Sequence, residues 1–250
     1  MDHLGRTSEA RVKESISSVV TEADLASEKV ILEVLQSGPG SCNILSEESG
    51  YLDHGSAFTW VVDPLDGTSN FAAALPWFGV IIALFENERP ILGGMYLPVD
   101  RALYLTESGG GATRNGKAIH PSGSRDLSHN LLAYSFDFSE DKEKTRSETE
   151  MLARLSRQVR NIRSTNSLVD FCYVADGRLG AALNQATKIW DIAVPWLMIR
   201  EGGGRVTDIR GEEISFDLSP EAFQLDYTIL ASASGLHGSI LRTITKHISK

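Results

Sequence analysis

Apolar and polar residues follow regular patterns along the first half of the chain, and these patterns predict one helix and several strands. Apolar residues at helical spacing predict a helix over residues 21–36. The apolar run 58–62 is typical of a buried strand, and residues 78–85 and 90–97 have the pattern of an antiparallel hairpin. We therefore expect a meander of strands that follows one helix.

In the second half, the same patterns predict helices between strands. The predicted helices cover residues 140–160, 166–175 and 235–248, and the predicted strands cover 131–136, 179–183, 205–209 and 227–231. Such alternation indicates α/β layering. A chain of 250 residues suits one domain with two lobes or two small domains, and we place the division between residues 1–129 and 130–250.

The segment Asp63-Pro64-Leu65-Asp66-Gly67-Thr68-Ser69-Asn70-Phe71 directly follows the apolar run 58–62. Because proline cannot continue a ladder of hydrogen bonds, Pro64 predicts that the strand stops near Asp63. Gly67 gives the chain freedom to turn. Thr68 or Ser69 can then cap a short helix that reaches residue 74.

Two carboxylates of this segment, Asp63 and Asp66, can point into one space on either side of the bend. The N–H groups of Gly67, Thr68 and Ser69 lie at the predicted helix start, where an anion is stabilised. Carboxylates and a bound anion repel each other unless cations lie between them. Hard oxygen ligands of this kind suit Mg²⁺. The plain alternative is a strand–turn–helix corner in which aspartate only forms the turn.

Three further acids are candidates for the same site, and each also has an ordinary explanation. Asp24, with Thr21, fits the capping box that opens the first helix. Glu47 and Glu48 form a pair of acids, and the ordinary explanation for such a pair is a solvated surface turn. Asp191, in Trp190-Asp191-Ile192-Ala193, fits the N-cap of another helix.

Composition narrows the classes of function. The chain has 24 Lys and Arg against 33 Asp and Glu, a formal net charge of −9, which argues against nucleic-acid binding as its main role. The apolar runs are too short to cross a bilayer, the first residues lack the apolar core of a signal peptide, and two cysteines indicate no disulfide framework. We expect a cytoplasmic protein without a membrane partner.

Four segments together resemble the inositol monophosphatase family of Mg²⁺-dependent, lithium-sensitive phosphatases. The segment 63–71 resembles the first signature of that family, and residues 190–193, followed by a helix and glycines, resemble the second. Residues 46–49, Ser-Glu-Glu-Ser, resemble its Gly-Glu-Glu-Ser stretch, with Ser46 in place of glycine. The match includes Asp24 and begins near Lys13, which stands where the family has a lysine close to its metal site.

The resemblance implies a layered α-β-α-β-α architecture with two sheets, a homodimer, and two or three Mg²⁺ ions in each active site. Glu47, Asp63 and the backbone carbonyl of Leu65 would hold the first ion. Asp63, Asp66 and Asp191 would hold the second. The implied reaction is hydrolysis of a phosphate monoester by in-line attack of a metal-activated water.

The resemblance also implies roles for residues beside the metal ligands. A weaker third ion would lie near Glu47 and Asp24. Thr68, hydrogen-bonded to Asp24, would position the attacking water, so that Asp24, Thr68 and Glu47 form the implied catalytic set. The backbone amides of Gly67 and Thr68 would bind the phosphate oxygens.

The substrate is less closely defined. Asp66, Asp191, Ser167 and Asn184 are expected to contact it, and Asn184 replaces the glutamate that inositol-specific members carry seven residues before Asp191. We expect a small polyol or sugar phosphate, with inositol 1-phosphate first. Fructose 1,6-bisphosphate and histidinol phosphate remain open, and 3′-phosphoadenosine 5′-phosphate is disfavoured. An alternative of another class is a catalytically silent protein that binds metal or a partner.

Overall fold

The structure is a computed structural model that describes Leu4 and residues 11–12, 19–38 and 40–245. These residues form three sheets and six α-helices. The helices are α1 (Glu22–Gln36), α2 (Thr68–Ala72), α3 (Lys142–Ser156), α4 (Val169–Ala175), α5 (Ile189–Glu201) and α6 (Ser234–Ile244). The first strands are β1 (Arg11–Val12), β2 (Val19–Val20), β3 (Asn43–Ser46), β4 (Gly50–Leu52), β5 (Phe58–Asp66), β6 (Gly79–Glu86) and β7 (Arg89–Leu97). The others are β8 (Ala102–Glu107), β9 (Gly111–Arg114), β10 (Lys117–Ala118), β11 (Leu131–Ser135), β12 (Asn161–Arg163), β13 (Ala181–Thr187), β14 (Arg205–Thr207) and β15 (Tyr227–Ser232).

The largest sheet has eight strands in the order β10-β9-β8-β7-β6-β5-β3-β4. All of its pairs are antiparallel except β3 with β5. The predicted hairpin is confirmed as β6 and β7, in which Ile81 is paired with Met95. Because the side chains of a strand alternate between the two faces, this sheet buries one apolar face against the rest of the molecule.

The second sheet has five strands in the order β12-β11-β13-β15-β14. It is mixed, because β11 runs parallel to β12 and β13 while β15 is antiparallel to β13 and β14. Helices α3 and α6 cover one face through a cluster that includes Leu155 and Ile240. β1 and β2 form a separate two-stranded sheet.

Helices α4 and α5 lie between the two large sheets and share one apolar core with both of them. Val194 of α5 packs so closely on β7 that a Cβ at Gly93 would lie 2.8 Å from its side chain. With α1 against β5 and α3 and α6 outside the smaller sheet, the layers follow the predicted order α-β-α-β-α. The division into residues 1–129 and 130–250 stays a prediction.

The strand before the acidic segment is longer than predicted. Pro64 does not end it near Asp63, since β5 continues to Asp66. Pairing with β6 is irregular at this point: Asp63 faces Ile81, and the next paired residue is Asp66. The prediction failed because the N–H that Pro64 lacks falls in this bulge, where no ladder hydrogen bond is required.

Several element boundaries also differ from the predictions. Gly67, in the left-handed region at φ 80°, is the N-cap of α2, and no side chain caps that helix, so neither Thr68 nor Ser69 has the predicted role. Helix α4 begins at Val169 instead of residue 166, and β13 covers residues 181–187 instead of 179–183. None of the helices in the described part of the chain is long and apolar enough to span a membrane.

Candidate active site

One pocket of about 440 Å³ lies where the ends of β5 and β13 approach each other. Nearly all of the site residues predicted from the sequence line it, although they come from distant parts of the chain. They are Glu47, Asp63, Leu65, Asp66, Gly67, Thr68, Ser167, Asn184 and Asp191. Asp24 lies behind this lining, and Lys13 is outside the described residues.

Three carboxylates form the inner end of the pocket: Asp63 and Asp66 from β5, and Asp191 from the first turn of α5. Each offers an oxygen atom within 4.8 Å of the other two. Burial raises the pKa of all three carboxyl groups. The neighbouring negative charges raise the pKa further, with Glu47 as the largest contributor for Asp63 and Asp191 for Asp66.

Hydrogen bonds orient each of these carboxylates. Asp63 Oδ1 accepts the backbone N–H of Leu65 at 3.0 Å, and Asp66 Oδ2 accepts that of Leu168 at 2.6 Å. Asp191 Oδ2 accepts the hydroxyl of Thr187 at 2.7 Å and the N–H of its N-cap residue at 2.8 Å. The three groups are therefore fixed in direction as well as in position.

Glu47 reaches the same pocket from the turn that follows β3. Its backbone N–H donates to the carbonyl oxygen of Val62 at 3.1 Å, which joins this turn to β5. Its carboxylate is close enough to Asp63 to raise the pKa of that residue. The predicted acidic turn therefore faces the pocket.

Asp24 and Thr68 are connected directly. The Thr68 hydroxyl lies 2.9 Å from Asp24 Oδ1 and 3.0 Å from the Leu65 carbonyl oxygen. The other oxygen of Asp24 accepts the N–H and hydroxyl of Thr21, which completes the capping box of α1. The cap prediction for Asp24 is confirmed, and the same carboxylate also holds Thr68 at the pocket wall.

The donor atoms at the inner end suit a divalent cation. Asp63 is buried and Asp66 and Asp191 are half-buried, and close carboxylates of this kind are stabilised if positive charge is placed between them. The set contains only oxygen donors, which is the preference of Mg²⁺. The residues present therefore fit Mg²⁺, with Glu47 and the Leu65 carbonyl as further oxygen donors in the pocket lining.

The outer end of the pocket, defined by Asn184, Lys188 and Asp226, is more open. Asn184 Oδ1 accepts the N–H of Ala186 at 2.8 Å, so its amide NH₂ is the group left for a ligand. Lys188 Nζ lies 2.9 Å from Asp226 Oδ1, and the Asp226 side chain is 65% exposed. Phe138, Lys144, Trp190 and Phe223 also line the pocket, and the rings of Trp190 and Phe223 are 5.1 Å apart.

Sequence reasoning missed residues that hold the pocket together. The Asn70 amide donates to the carbonyls of Trp77 at 2.9 Å and Thr165 at 2.8 Å, which ties the loop before α4 to the larger sheet. Ser167 lies in that loop and not in the helix predicted there, and its hydroxyl accepts the N–H of Val169 at 3.3 Å. Asn70 lies within the segment 63–71, but its partner Thr165 is 95 residues away, so the sequence gives no local signal of this contact.

Comparison with known proteins decides the family. A model of the inositol monophosphatase family matches residues 2–249. The chain belongs to the inositol monophosphatase family. Inositol-1-monophosphatase ImpA of Mycolicibacterium smegmatis is 31% identical over 244 residues, covering 96% of this chain and 85% of that protein. Nus factor SuhB of Pasteurella multocida is 36% identical over 202 residues, covering 79% and 74%.

A solved structure agrees with this assignment. The Thermotoga maritima IMPase superposes with a TM-score of 0.87 at 26% identity and covers 99% of this chain and 91% of its own. This member of the inositol monophosphatase family is therefore a phosphoric monoester hydrolase with the fold of that family, and the family acts on small phosphate esters. The predicted fold, family and enzyme class are confirmed.

Proposed function

We propose that this phosphatase hydrolyses the phosphate monoester of a small polyol or sugar in a Mg²⁺-dependent reaction, with inositol 1-phosphate as the first candidate. The observation that carries the proposal is the convergence of Asp63, Asp66 and Asp191 within 4.8 Å at the inner end of a pocket that admits a small molecule. This arrangement supports metal-assisted hydrolysis better than a purely structural acidic cluster, because the acids converge and are held in direction by hydrogen bonds.

In this proposal, Glu47, Asp63 and the Leu65 carbonyl hold one ion, and Asp63, Asp66 and Asp191 hold a second. A third ion near Glu47 and Asp24 remains a prediction from the family resemblance. When bound, Mg²⁺ supplies Lewis-acid stabilisation of charge on the phosphoryl oxygens and acidifies water. The carboxylates of Asp63, Asp66 and Asp191 are already directed, because each accepts a hydrogen bond that limits its rotation.

Thr68 and Asp24 are proposed to orient the attacking water. With its proton directed at Asp24 Oδ1, the Thr68 hydroxyl presents lone pairs to the pocket and can accept a hydrogen bond from water. The oxygen lone pair of that water is then free to face phosphorus. The N–H groups of Gly67 and Thr68, both in the pocket lining, are proposed to donate to the phosphate oxygens.

The outer end is proposed to bind the alcohol half of the substrate. Asn184 presents a donor, which suits a hydroxyl oxygen or an anion and cannot pair with an ammonium group. Lys188, which is paired with Asp226, and Lys144 also line the pocket. Their charges favour fructose 1,6-bisphosphate as the second candidate, since its second phosphate would lie away from the inner end. Ser167, Asp66 and Asp191 are proposed as further substrate contacts.

We propose a small phosphate ester, and not nucleic acid, as the ligand, although the Pasteurella relative carries the name Nus factor. The reason is electrostatic: a net charge of −9 repels a polyanion unless a basic patch compensates for it. A cytoplasmic location is part of the same proposal.

We propose that the protein forms a homodimer through the outer face of the largest sheet. Leu92 and Tyr96 of β7 and Leu103 and Leu105 of β8 are each at least 40% exposed. Tyr96 is paired with Leu103, and Leu105 with Gly94 between Leu92 and Tyr96, so the four side chains share one face. Light scattering on a gel-filtration peak separates a 27.3 kDa monomer from a dimer of twice that mass.

The test of the proposed function is phosphate release from a panel of monoesters with Mg²⁺, with EDTA, and with added Li⁺. The panel contains inositol 1-phosphate, fructose 1,6-bisphosphate, histidinol phosphate and 3′-phosphoadenosine 5′-phosphate. We expect turnover of inositol 1-phosphate that EDTA abolishes and Li⁺ inhibits. Release that continues in EDTA would contradict the metal-dependent reaction, and no release from any ester would favour a binding protein.

A further inference from the structure

The fully buried side chains of helix α1 are carboxylates and not apolar side chains. Its buried residues are Asp24 and Glu28, whereas Leu25, Val30 and Val34 are 54%, 60% and 64% exposed. Residues four apart lie on one face of a helix, so both acids point the same way. A buried acid requires compensating hydrogen bonds, and these identify what each one does.

Asp24 holds Thr68, and Glu28 holds a different part of the site. Glu28 Oε1 accepts the hydroxyl of Ser46 at 2.5 Å and the backbone N–H of Ser49 at 2.9 Å. These two donors lie on either side of Glu47 in the chain. One carboxylate oxygen therefore anchors both ends of the turn that carries Glu47 into the pocket.

The same helix also touches β5, because the Ser27 hydroxyl donates to the Pro64 carbonyl at 2.7 Å. Consecutive turns of α1 thus form hydrogen bonds to Thr68, to the bulge of β5 and to the turn after β3, and fix these three parts relative to one another. If Glu28 only satisfied a backbone N–H of this turn, its hydrogen bond from Ser49 would be enough. The Ser46 hydroxyl, at a position where the family stretch has glycine, adds a second bond to the same oxygen.

We propose that Glu28 is a positioning residue that, with Ser46, fixes Glu47 for divalent-cation binding. The inference rests on the proposed function, since it assumes that Glu47 is a metal ligand. Residues that orient metal ligands by hydrogen bonds influence metal affinity by about 10- to 100-fold. A carboxylate acceptor holds the turn more strongly than an amide acceptor, because hydrogen bonds to an ionised group are stronger.

The test is calorimetric titration of Mg²⁺ into the full-length wild type and three variants. Glu28→Gln keeps the size of the side chain and removes its charge, and Ser46→Ala removes one hydrogen bond. Glu33→Gln, at an exposed position of the same helix, is the matched control. We expect a Kd for Mg²⁺ about 10-fold higher in Glu28→Gln, a smaller increase in Ser46→Ala, and no change in Glu33→Gln.

Phosphate release as a function of Mg²⁺ provides a second readout. The Mg²⁺ concentration for half-maximal rate should rise in Glu28→Gln, while saturating Mg²⁺ restores most of kcat. A Kd within twofold of wild type in folded Glu28→Gln overturns the inference and leaves the proposed function standing. If Glu28→Gln does not fold, an unchanged Kd in Ser46→Ala overturns it. A wild type that binds no Mg²⁺ overturns both.

Discussion

The inner and outer ends of the pocket hold their polar side chains in different ways. At the inner end, Asp63, Asp66 and Asp191 are oriented by backbone N–H groups and the Thr187 hydroxyl, and burial raises the pKa of each. At the outer end, Lys188 is paired with a largely exposed Asp226. Exposed ion pairs contribute little energy and exchange readily with water.

This difference indicates that the inner end carries out the reaction and that the outer end determines which ester is preferred. Acids held in fixed directions suit a reaction in which ions must be held in one geometry, and fixed geometry makes each acid hard to replace. An open outer end can accept alcohol halves of different shape with small changes in energy. We therefore expect substitutions at the inner end to remove turnover and substitutions at the outer end to change which ester is preferred.

The largest effect is expected from Asp191→Asn. The substitution keeps an oxygen that can accept the Lys188 N–H, so the fold should persist, but the loss of one charge should lower phosphate release by about 10³-fold or more. Unfolding of the metal-free variant should occur at the same or a higher temperature than wild type, because repulsion is reduced. Asp100→Asn, at an exposed turn, is the control. Wild-type-like activity in Asp191→Asn would contradict the assignment of the inner end as the metal-binding site.

A smaller loss is expected from Thr68→Ala. Removal of the hydroxyl that lies 2.9 Å from Asp24 should lower kcat by about 10- to 100-fold, since the attacking water loses its orientation. Mg²⁺ affinity should change little. Thr68→Ser retains the hydroxyl and should recover most of the rate, so equal defects in both variants would contradict a role in orienting water.

The raised carboxyl pKa values predict how pH affects the stability of the metal-free protein. The folded-state pKa of Asp63 and of Asp66 lies above 3.8, the usual aspartate value. Between pH 3.8 and the raised pKa, the folded state therefore binds more protons than the unfolded state. In EDTA, their contribution to stability is therefore present at low pH and is lost as pH rises through the folded pKa.

Thermal unfolding with and without Mg²⁺ measures this effect. The increase in Tm caused by Mg²⁺ should grow as pH rises from 3.8 toward neutrality, since deprotonated acids gain most from the cation. Asp66→Asn should reduce both the increase and its pH dependence. A Mg²⁺-induced change in Tm that is independent of pH would show that these acids do not bind the ion.

The smallest effect is expected at the outer end, from Lys188→Met. The KM for fructose 1,6-bisphosphate should rise about 3- to 10-fold, because one ionic contact is lost, while inositol 1-phosphate is affected less. The Mg²⁺ requirement should not change. Lys117→Met, at an exposed position of β10 outside the pocket lining, is the matched control. A large loss of kcat for every ester in Lys188→Met would contradict the division between the two ends.

The inner end could be predicted from the sequence because its chemistry is concentrated in short segments. Asp63 and Asp66 lie in one run, and the resemblance of residues 190–193 to the second family signature implied that Asp191 joins them. Apolar periodicity indicated helices layered on strands, and the family resemblance implied the order of the layers. The end of β5 did not, because whether Pro64 stops a strand depends on the pairing across from it, which local sequence does not encode.

The contacts between distant segments could not be predicted. The link from Asn70 to Thr165 and the bond from Asp66 to Leu168 arise when α4 packs against the larger sheet. Glu28 lies four residues after Asp24, but the apolar residues that indicate α1 include the exposed Leu25 and Val34, so their pattern does not reveal which face is buried. The outer end depends on Asp226, which no motif places near Lys188.

The most direct test of the central claim is a crystal structure with Mn²⁺ in place of Mg²⁺, solved with anomalous scattering data. We predict a strong anomalous peak among the carboxylates of Asp63, Asp66 and Asp191, with a second between Asp63, Glu47 and the Leu65 carbonyl. Absence of a peak at the inner end, or peaks only elsewhere on the molecule, would contradict the account.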